Sequence, residues 1–245
     1  MTNPIGIDFG GSGIKAAPVD LARGDFAADR QRIATPEPST PDAVADVMER
    51  LVHKFPDATG PIGVTIPGVV KSGVVHSAAN IDKGWIGTDA DALLTELLGR
   101  DVHVVNDADA AGVAECRFGS ARGRDGLVIL TTLGTGIGSA LLYDGVLVPN
   151  SELGHLEIDG HDAESRAAAS VKEEHDLSWE KWGKRLTTYY RTVERLFSPD
   201  LFVVGGGVSR DADKFLHLID IDTEIVAAKL QNRAGIVGAA ALIAG

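Results

Sequence analysis

The hydrophobic positions of this chain follow two alternating spacings. Short runs rich in β-branched residues predict buried strands, whereas apolar residues three and four positions apart predict helices. A strand that leads directly into a helix, as near position 107, is typical of α/β proteins, which place their chemistry at such strand ends. Strands are predicted near 4–9, 14–17, 61–66, 74–75, 102–106, 126–133, 137–143, 200–205 and 225–228, and helices near 40–55, 93–98, 108–118, 178–197 and 234–242.

Local signals mark several helix ends. Thr40-Pro41 is a favourable helix start, and Gly99 is a favourable helix stop. The helix predicted over 178–197 is amphipathic, with one apolar face that we expect to be buried. That face is predicted to consist of Trp179, Trp182, Leu186, Tyr189, Tyr190, Val193, Leu196 and Phe197.

Composition narrows the class of protein. The 245 residues carry a net charge of −12, which argues against general nucleic-acid binding. No apolar run is long enough to span a membrane, and the first residues do not resemble a signal peptide. The single cysteine, Cys116, excludes an intrachain disulfide and a cysteine-cluster metal site. A cytoplasmic enzyme is therefore expected, with no membrane partner.

A glycine-rich hairpin is predicted at the start of the chain. Two apolar strands flank Gly10-Gly11-Ser12-Gly13, whose backbone amides can approach phosphate oxygens closely. Ser12 and Lys15 add donors, and Asp8 at the strand end could hold a magnesium ion directly or through water. An ordinary glycine turn is the alternative interpretation of this segment.

The stretch 102–112 carries the candidate catalytic residue. A short apolar strand ends at Asn106, and Asp107 follows where an alanine-rich helix begins. A carboxylate at this point can accept the proton of an attacking hydroxyl group. Alternatively, Asp107 only caps the helix, since aspartate is a favoured N-cap residue.

A second glycine hairpin repeats the first motif. A strand leads through Thr132 to Gly134-Thr135-Gly136 and then into another strand. The glycines permit close approach of a ligand, and the threonine hydroxyls can donate to phosphate. Two such hairpins on either side of Asn106-Asp107 predict two lobes that hold a polyphosphoryl donor.

Three further segments carry polar side chains suited to ligands. The loop 77–85 contains Asn80 and Trp85, of which Trp85 is expected to pack rather than to contact a ligand. The segment Glu152-Leu153-Gly154-His155 offers a carboxylate and an imidazole that, when neutral, donates one hydrogen bond and accepts another. In the helix 178–197, five Lys and Arg residues oppose two Glu residues, which favours either a solvated face or a track for an extended polyanion.

These motifs resemble those of the ROK family of sugar kinases, within the actin/hexokinase-like ATPase superfamily. Asp8 to Lys15 resembles the first phosphate motif, the segment 126–143 the second, and Glu152 to His155 the family's Glu-x-Gly-His motif. The resemblance implies a ribonuclease-H-like α/β fold with two lobes and a central cleft. We expect an N-terminal lobe over 1–107, completed by a helix at about 234–245, and a C-terminal lobe over 108–233.

The resemblance also implies roles for individual residues. Asp107 would be the base for the attacking hydroxyl, and Glu157 competes with Glu164 for the last sugar-binding position. The family's histidine- and cysteine-containing zinc loop is missing near His161, so no zinc is expected. The sugar-binding residues implied are Asn80, Asn106, Asp107, Glu152, His155 and Glu164, and the phosphate-binding residues are Gly10, Gly11, Ser12, Gly13, Lys15, Thr132, Gly134, Thr135 and Gly136.

The run Ser178 to Leu186 and the short, zinc-free form resemble the polyphosphate glucokinases of this family. This resemblance implies Mg²⁺-dependent phosphoryl transfer from inorganic polyphosphate to the 6-hydroxyl of glucose, and a homodimer. The polyphosphate track would comprise Lys181, Lys184, Arg185 and Arg191, and Asp8 would hold the metal ion. The alternatives are ATP as a sole or shared donor, with glucose or mannose as acceptor, and a non-catalytic sugar-sensing regulator of the same family.

Overall fold

The structure is a computed structural model and describes residues 3–244. The chain divides into two compact units. Unit 1 contains the described residues up to Ala114 together with those from Arg233 onward, and unit 2 runs from Glu115 to Asn232. The last helix of the chain therefore belongs to the same unit as its first strands.

Unit 1 is built on a six-stranded sheet in the order β3-β2-β1-β5-β8, with β4 paired to β2. Strands β1, β5 and β8 run parallel, and the first hairpin joins β1 antiparallel to β2. Its elements are β1 (Ile5–Gly10), β2 (Gly13–Asp20), β3 (Asp25–Phe26), β4 (Gln31–Ile33), α1 (Pro41–Val52), β5 (Ile62–Ile66), β6 (Val70–Lys71), β7 (Val74–Val75), α2 (Ala90–Leu98), β8 (Val102–Asn106) and most of α3 (Asp107–Phe118).

The predicted helix boundaries of unit 1 are confirmed where the capping signals are local. Thr40 caps α1 by accepting a hydrogen bond from the Ala43 amide at 3.4 Å, with Pro41 at the first helical position. Gly99 ends α2 in the left-handed conformation, with φ of 60°. These are the conformations that favour proline after an N-cap and glycine at a helix C-terminus.

The helix α8 (Ala234–Ile243) packs against the sheet of unit 1. Glycine allows this close approach at two places. A Cβ atom at Gly63 would overlap the carbonyl group of Ala239, and one at Gly238 would overlap the carbonyl group of Ala110. Backbone therefore meets backbone. A side chain at Gly63 would force α8 away from the sheet, and one at Gly238 would force it away from α3.

Unit 2 repeats the arrangement with a five-stranded sheet in the order β11-β10-β9-β14-β15. The second glycine hairpin pairs β9 and β10 antiparallel, while β14 runs parallel to β9 and to β15. Its elements are β9 (Leu127–Leu133), β10 (Ile137–Tyr143), β11 (Val146–Val148), β12 (Glu157–Ile158), β13 (His161–Asp162), α4 (Glu164–Ala167), α5 (Ala169–Glu174), α6 (Trp179–Phe197), β14 (Leu201–Gly205), α7 (Ala212–Phe215) and β15 (Ile225–Ala227).

Helix α6 supplies much of the core of unit 2. Ser178 caps it, and the predicted apolar face is buried at Trp182, Leu186, Tyr189, Tyr190 and Val193 and partly buried at Trp179 and Phe197. Leu196 is 59% exposed, so its assignment to the buried face is wrong. The core ends near Val193 and the partly buried Phe197, and Leu196 lies outside it. Among the helices of residues 3–244, none is long and apolar enough to cross a bilayer.

Together these features confirm the mixed α/β architecture. Each unit begins with an antiparallel glycine hairpin and continues the sheet through parallel strands. In each unit the hairpin thus joins the same sheet as the parallel strands. Ligands of α/β proteins bind at such strand ends, so polar residues there are the candidate site residues.

Candidate active site

The first glycine hairpin carries an ion pair at its base. Gly10 pairs with Gly13, so Gly11 and Ser12 form a two-residue turn. On the neighbouring positions of the hairpin, Lys15 Nζ donates to Asp8 Oδ2 at 2.8 Å. The Thr65 hydroxyl donates to the other carboxylate oxygen of Asp8 at 3.3 Å. Asp8, the candidate metal ligand, and Lys15, a candidate hydrogen-bond donor to phosphate, therefore form an ion pair beside the turn of this hairpin.

The junction of β8 and α3 shows which residue caps the helix. Asn106 Oδ1 accepts hydrogen bonds from the amides of Ala108, at 2.8 Å, and Asp109, at 3.1 Å. The Asn106 amide group also donates to the carbonyl oxygen of Gly68 at 3.1 Å. Asn106 is thus the N-cap of α3, and the alternative in which Asp107 has that role is wrong.

Asp107 occupies the first helical position of α3. One of its carboxylate oxygens, Oδ1, accepts from the amide of Ala108 at 2.8 Å. The positive end of the helix dipole stabilises a carboxylate at this position in its ionised form. Because Asn106 is buried and hydrogen-bonded on both sides of its amide, the backbone that presents Asp107 is fixed.

A cavity of about 370 Å³ in unit 1 brings Asn80 next to the first hairpin. Asn80 adopts a left-handed conformation with φ of 59°. The opposite wall is the segment 35–39, which sequence reasoning missed because it contains neither a glycine pattern nor a recognised motif. The Thr35 hydroxyl donates to the carbonyl oxygen of Gly10 at 2.6 Å, which ties this segment to the phosphate loop.

Trp85 packs in the interior, as predicted. It is 1% exposed, its ring lies 5.6 Å from the ring of Phe9, and its indole nitrogen donates to the carbonyl oxygen of Ser39 at 2.9 Å. This last contact fixes the segment 35–39 against the loop that carries Asn80. The contribution of Trp85 is therefore to hold the cavity in shape.

The second glycine hairpin in unit 2 lies against helix α4. Glu164 Oε2 accepts a hydrogen bond from the amide of Ile137 at 3.0 Å, immediately after the turn 134–136. Ser170 supports the same turn, because its amide donates to the carbonyl oxygen of Gly134 at 3.0 Å and its hydroxyl to that of Thr135 at 2.7 Å. The hairpin turn is thus fixed by hydrogen bonds with Glu164 and Ser170.

A cluster of polar side chains forms beside this turn. His155 Nδ1 lies 2.9 Å from Asp162 Oδ2 and 3.9 Å from Glu164 Oε1. The hydrogen bond with Asp162 raises the pKa of His155 above its ordinary value, and the charges of Glu164 and Glu152 act in the same direction. The neutral His155 assumed from the sequence is therefore disfavoured relative to an unpaired histidine.

Glu152 belongs to the same cluster. Desolvation raises its pKa; His155 acts in the opposite direction, whereas the carboxylate of Glu164 adds to the rise. Glu157 lies on β12 and is exposed, with its register partner Asp162 on the neighbouring strand. The structure thus groups Glu164, and not Glu157, with Glu152 and His155.

Asp162 is the residue of this cluster that the sequence did not reveal. It orients His155 and accepts from the backbone amide of Glu164 at 3.2 Å. One atom each from His155, Asp162 and Glu164 lies within 4.8 Å of the others, a spacing that could accommodate a cation. The same spacing suits the closely placed hydroxyl groups of a sugar, which hydrogen-bond to carboxylate and imidazole groups.

The cationic residues of α6 differ in their surroundings. Lys181 and Lys184 are exposed. Arg185 Nη1 donates to the carbonyl oxygen of Arg166 at 3.1 Å. Arg191 forms an ion pair with the carboxylate of Asp220, so its charge is largely offset. The four residues of the predicted track are therefore not equivalent.

Comparison with known proteins places the chain among sugar kinases. The sequence profile described as "ROK family" matches residues 4–166. The polyphosphate glucokinase of Mycobacterium tuberculosis is 53% identical over 236 residues, which are 96% of this chain and 89% of that protein. The crystal structure of the inorganic polyphosphate/ATP-glucomannokinase of Arthrobacter sp. strain KM matches with a TM-score of 0.94 and 54% identity, covering 100% of this chain and 99% of the other.

A second solved structure resembles the chain more distantly. It is a ROK family glucokinase of Streptomyces griseus in complex with glucose and AMPPNP, with a TM-score of 0.83 and 25% identity over 98% of both chains. These matches extend across both units. The predicted actin/hexokinase-like fold is thereby confirmed.

Proposed function

The chain belongs to the ROK family, and we propose that it is a polyphosphate glucokinase. It transfers a phosphoryl group from inorganic polyphosphate to the 6-hydroxyl of glucose. The observation that carries this proposal is the similarity, over nearly the whole chain, to curated polyphosphate glucokinases. The glycine hairpin of each unit, Asp107 at the start of α3 and the Glu152 cluster beside the second hairpin supply groups suited to this reaction.

Asp107 is the base of the proposed reaction. Its carboxylate orients the 6-hydroxyl and accepts its proton as the oxygen attacks the terminal phosphorus. A new oxygen–phosphorus bond forms, the phosphoanhydride bond breaks, and the shortened polyphosphate leaves with the bonding electron pair. Such transfer depends mostly on positioning and on electrostatic stabilisation, which a fixed helix N-terminus favours.

Each unit carries side chains suited to binding a sugar. Asn106 has one amide N–H left after its bond to Gly68 and can donate it to a sugar hydroxyl. Asn80 contributes from its cavity in unit 1. In unit 2, Glu152 and Glu164 accept hydrogen bonds from hydroxyl groups, and His155 donates through its Nε2 atom because Asp162 occupies Nδ1.

The glycine hairpin of each unit presents backbone amides suited to phosphate groups. The turn at Gly10–Gly13, with Ser12, and the turn at Gly134–Gly136, with Thr132 and Thr135, present the phosphate-binding groups. The carboxylate of Asp8 is the hard oxygen ligand that would hold Mg²⁺, which offsets negative charge on the phosphates when bound. Lys15, paired with Asp8, contributes a second positive charge.

The cationic face of α6 guides the remainder of the polyphosphate chain. Lys181, Lys184 and Arg185 provide exposed or partly exposed positive charge within a chain of net charge −12. Arg191 was predicted to join them, and its ion pair with Asp220 makes its contribution the weakest of the four.

ATP is a second candidate donor. The Arthrobacter structure is described as a polyphosphate/ATP-glucomannokinase, and the Streptomyces glucokinase was solved with AMPPNP. These descriptions favour a dual-donor enzyme as the alternative, with mannose as a second acceptor. The strict and dual forms differ only in whether ATP supports turnover.

We also propose that the enzyme is a homodimer. Three large apolar side chains at the β10–β11 edge are strongly exposed, namely Tyr143 at 60%, Val146 at 69% and Val148 at 51%. Exposed apolar surface of this kind marks interaction sites. Light scattering after size-exclusion chromatography would give the mass, and a monomer mass of 25.7 kDa would contradict the dimer.

The decisive experiment measures glucose 6-phosphate formation with polyphosphate and ATP supplied separately. Turnover with polyphosphate is expected. In Asp107→Ala, turnover should fall by about 10²–10⁴-fold while glucose binding remains measurable. Absence of turnover with polyphosphate in the unmodified protein would overturn the proposed function, whereas near-normal turnover in Asp107→Ala would remove only the role of base.

A further inference from the structure

We propose that unit 2 contains a second phosphate-binding site, in a cavity of about 340 Å³ enclosed by the β12–β13 hairpin, α4 and α6. The inference rests on the proposed function, because it assigns this site to a phosphoryl group of the polyphosphate donor. The polar residues that line it are Arg166, Arg185, His161, Thr188, Tyr189 and Asp159.

Two arginines give the cavity its charge. Arg185 Nη1 donates to the carbonyl oxygen of Arg166, which draws the side chain of Arg185 towards α4. In the part of the chain that the structure describes, neither guanidinium group forms an ion pair with a carboxylate. Four other arginines of this acidic chain do so, namely Arg23, Arg124, Arg191 and Arg233. A cavity with two uncompensated guanidinium groups favours an oxyanion, which they bind with bidentate geometry.

Tyr189 forms part of the cavity wall, and its hydroxyl is fully buried. Tyr189 is 1% exposed, and its hydroxyl has no hydrogen-bond partner among the described residues. Burial raises the pKa of Tyr189 far above its ordinary value, so the hydroxyl keeps its proton. Tyr189 therefore adds no charge to the cavity.

The remaining lining residues set the chemical class of the ligand. Asp159 carries the one carboxylate of the lining and opposes an anion, whereas His161 can donate. The balance of two guanidinium groups against one carboxylate suits a phosphoryl group. Its source could be an internal phosphate of polyphosphate or the phosphate of glucose 6-phosphate. We assign it to polyphosphate because Arg185 follows Lys181 and Lys184 on the same helix face, which continues the positive charge into the cavity.

The test uses the whole chain and two probes, long-chain polyphosphate and glucose 6-phosphate. In Arg166→Gln, the KM for long-chain polyphosphate should rise about tenfold, with kcat and the KM for glucose within twofold. Asp159→Asn should lower that KM. The matched control is Arg124→Gln, which removes one arginine paired with Glu224 outside the cavity.

Direct binding distinguishes the two sources. By calorimetry, Arg166→Gln should weaken the binding of long-chain polyphosphate and leave the affinity for glucose 6-phosphate unchanged. Loss of glucose 6-phosphate binding alone would overturn the assignment to polyphosphate. Equal KM values for polyphosphate in Arg166→Gln and Arg124→Gln would overturn the site. Arg166→Lys should restore part of the affinity, which a folding defect would not explain. Failure of polyphosphate as a donor in the unmodified enzyme would instead overturn the proposed function.

Discussion

Replacing Asn106 with alanine tests the capping role found at the junction of β8 and α3. The side chain accepts from two backbone amides and donates to the carbonyl oxygen of Gly68. Loss of an N-cap costs about 1 kcal/mol, and leaving the buried Gly68 carbonyl without its donor costs about 1–3 kcal/mol. The free energy of unfolding should therefore fall by about 2–4 kcal/mol.

The assay is urea unfolding followed by circular dichroism, with Asp89→Ala as the matched control. Asp89 caps α2 through one hydrogen bond of 2.9 Å to the Ala92 amide, at an exposed site. Its removal loses a cap and leaves no buried partner, so the loss should be about 1 kcal/mol. Asn106→Asp keeps both acceptor contacts and loses the donor to Gly68, so its stability should lie between those of the unmodified protein and Asn106→Ala.

The reasoning fails if Asn106→Ala is no more destabilising than Asp89→Ala. That result would mean that the hydrogen bond to Gly68 contributes nothing. A value for Asn106→Asp equal to that of Asn106→Ala would instead show that the two amides of α3 do not need the side-chain oxygen of residue 106. Either outcome would leave Asp107 without the fixed position on which its proposed role depends.

Two further predictions concern unit 2. Tyr190→Phe removes a buried hydrogen bond of 2.6 Å to the hydroxyl of Thr131 and should lower the free energy of unfolding by about 1–2 kcal/mol. The hydroxyl of Tyr189 has no hydrogen-bond partner among the described residues, so Tyr189→Phe should lower it by less than about 0.5 kcal/mol. A larger loss for Tyr189→Phe than for Tyr190→Phe in urea unfolding would contradict this prediction. Asp162→Asn should lower the pKa of His155, measured by NMR titration, because the hydrogen bond that raises it is weakened. A pKa raised by folding stabilises the folded protein at low pH, and this contribution is lost as the pH rises through the pKa. The difference in free energy of unfolding between the unmodified protein and Asp162→Asn should therefore be larger at pH 5 than at pH 8. An unchanged titration midpoint of His155 in Asp162→Asn would contradict the prediction.

Much of the fold was predictable because its signals are local. The glycines of both hairpins lie between apolar β-branched runs, and the turns form where those runs end. The ends of α2 and α6 follow from Gly99 and Ser178, each next to the helix that it caps. Signals of this kind need no knowledge of distant residues, since the turn and the cap form from neighbouring backbone groups.

The capping residue of α3 was not predictable from its neighbours. Asn106 and Asp107 are adjacent, and both residue types are favoured N-caps. The choice depends on the carbonyl group of Gly68, which lies 38 positions away and accepts from the Asn106 amide. Aspartate at that position could not donate this bond when ionised.

The polar partners of the candidate site were hidden for the same reason. Asp220 lies 29 positions from Arg191, so the charge that the helix pattern assigned to the track is offset by a residue outside it. Asp162 is only seven positions from His155, but no motif marks it. The exposure of Leu196 likewise depends on where the neighbouring core ends rather than on the period of the helix.

The packing of α8 in unit 1 has a consequence for folding during synthesis. All of unit 2 is translated before residues 234–243 leave the ribosome, although those residues cover the sheet that begins with β1. The face of the unit 1 sheet that α8 covers therefore stays exposed until α8 has been synthesised. Unit 2 is contiguous in the sequence, has no such dependence and can complete its core first.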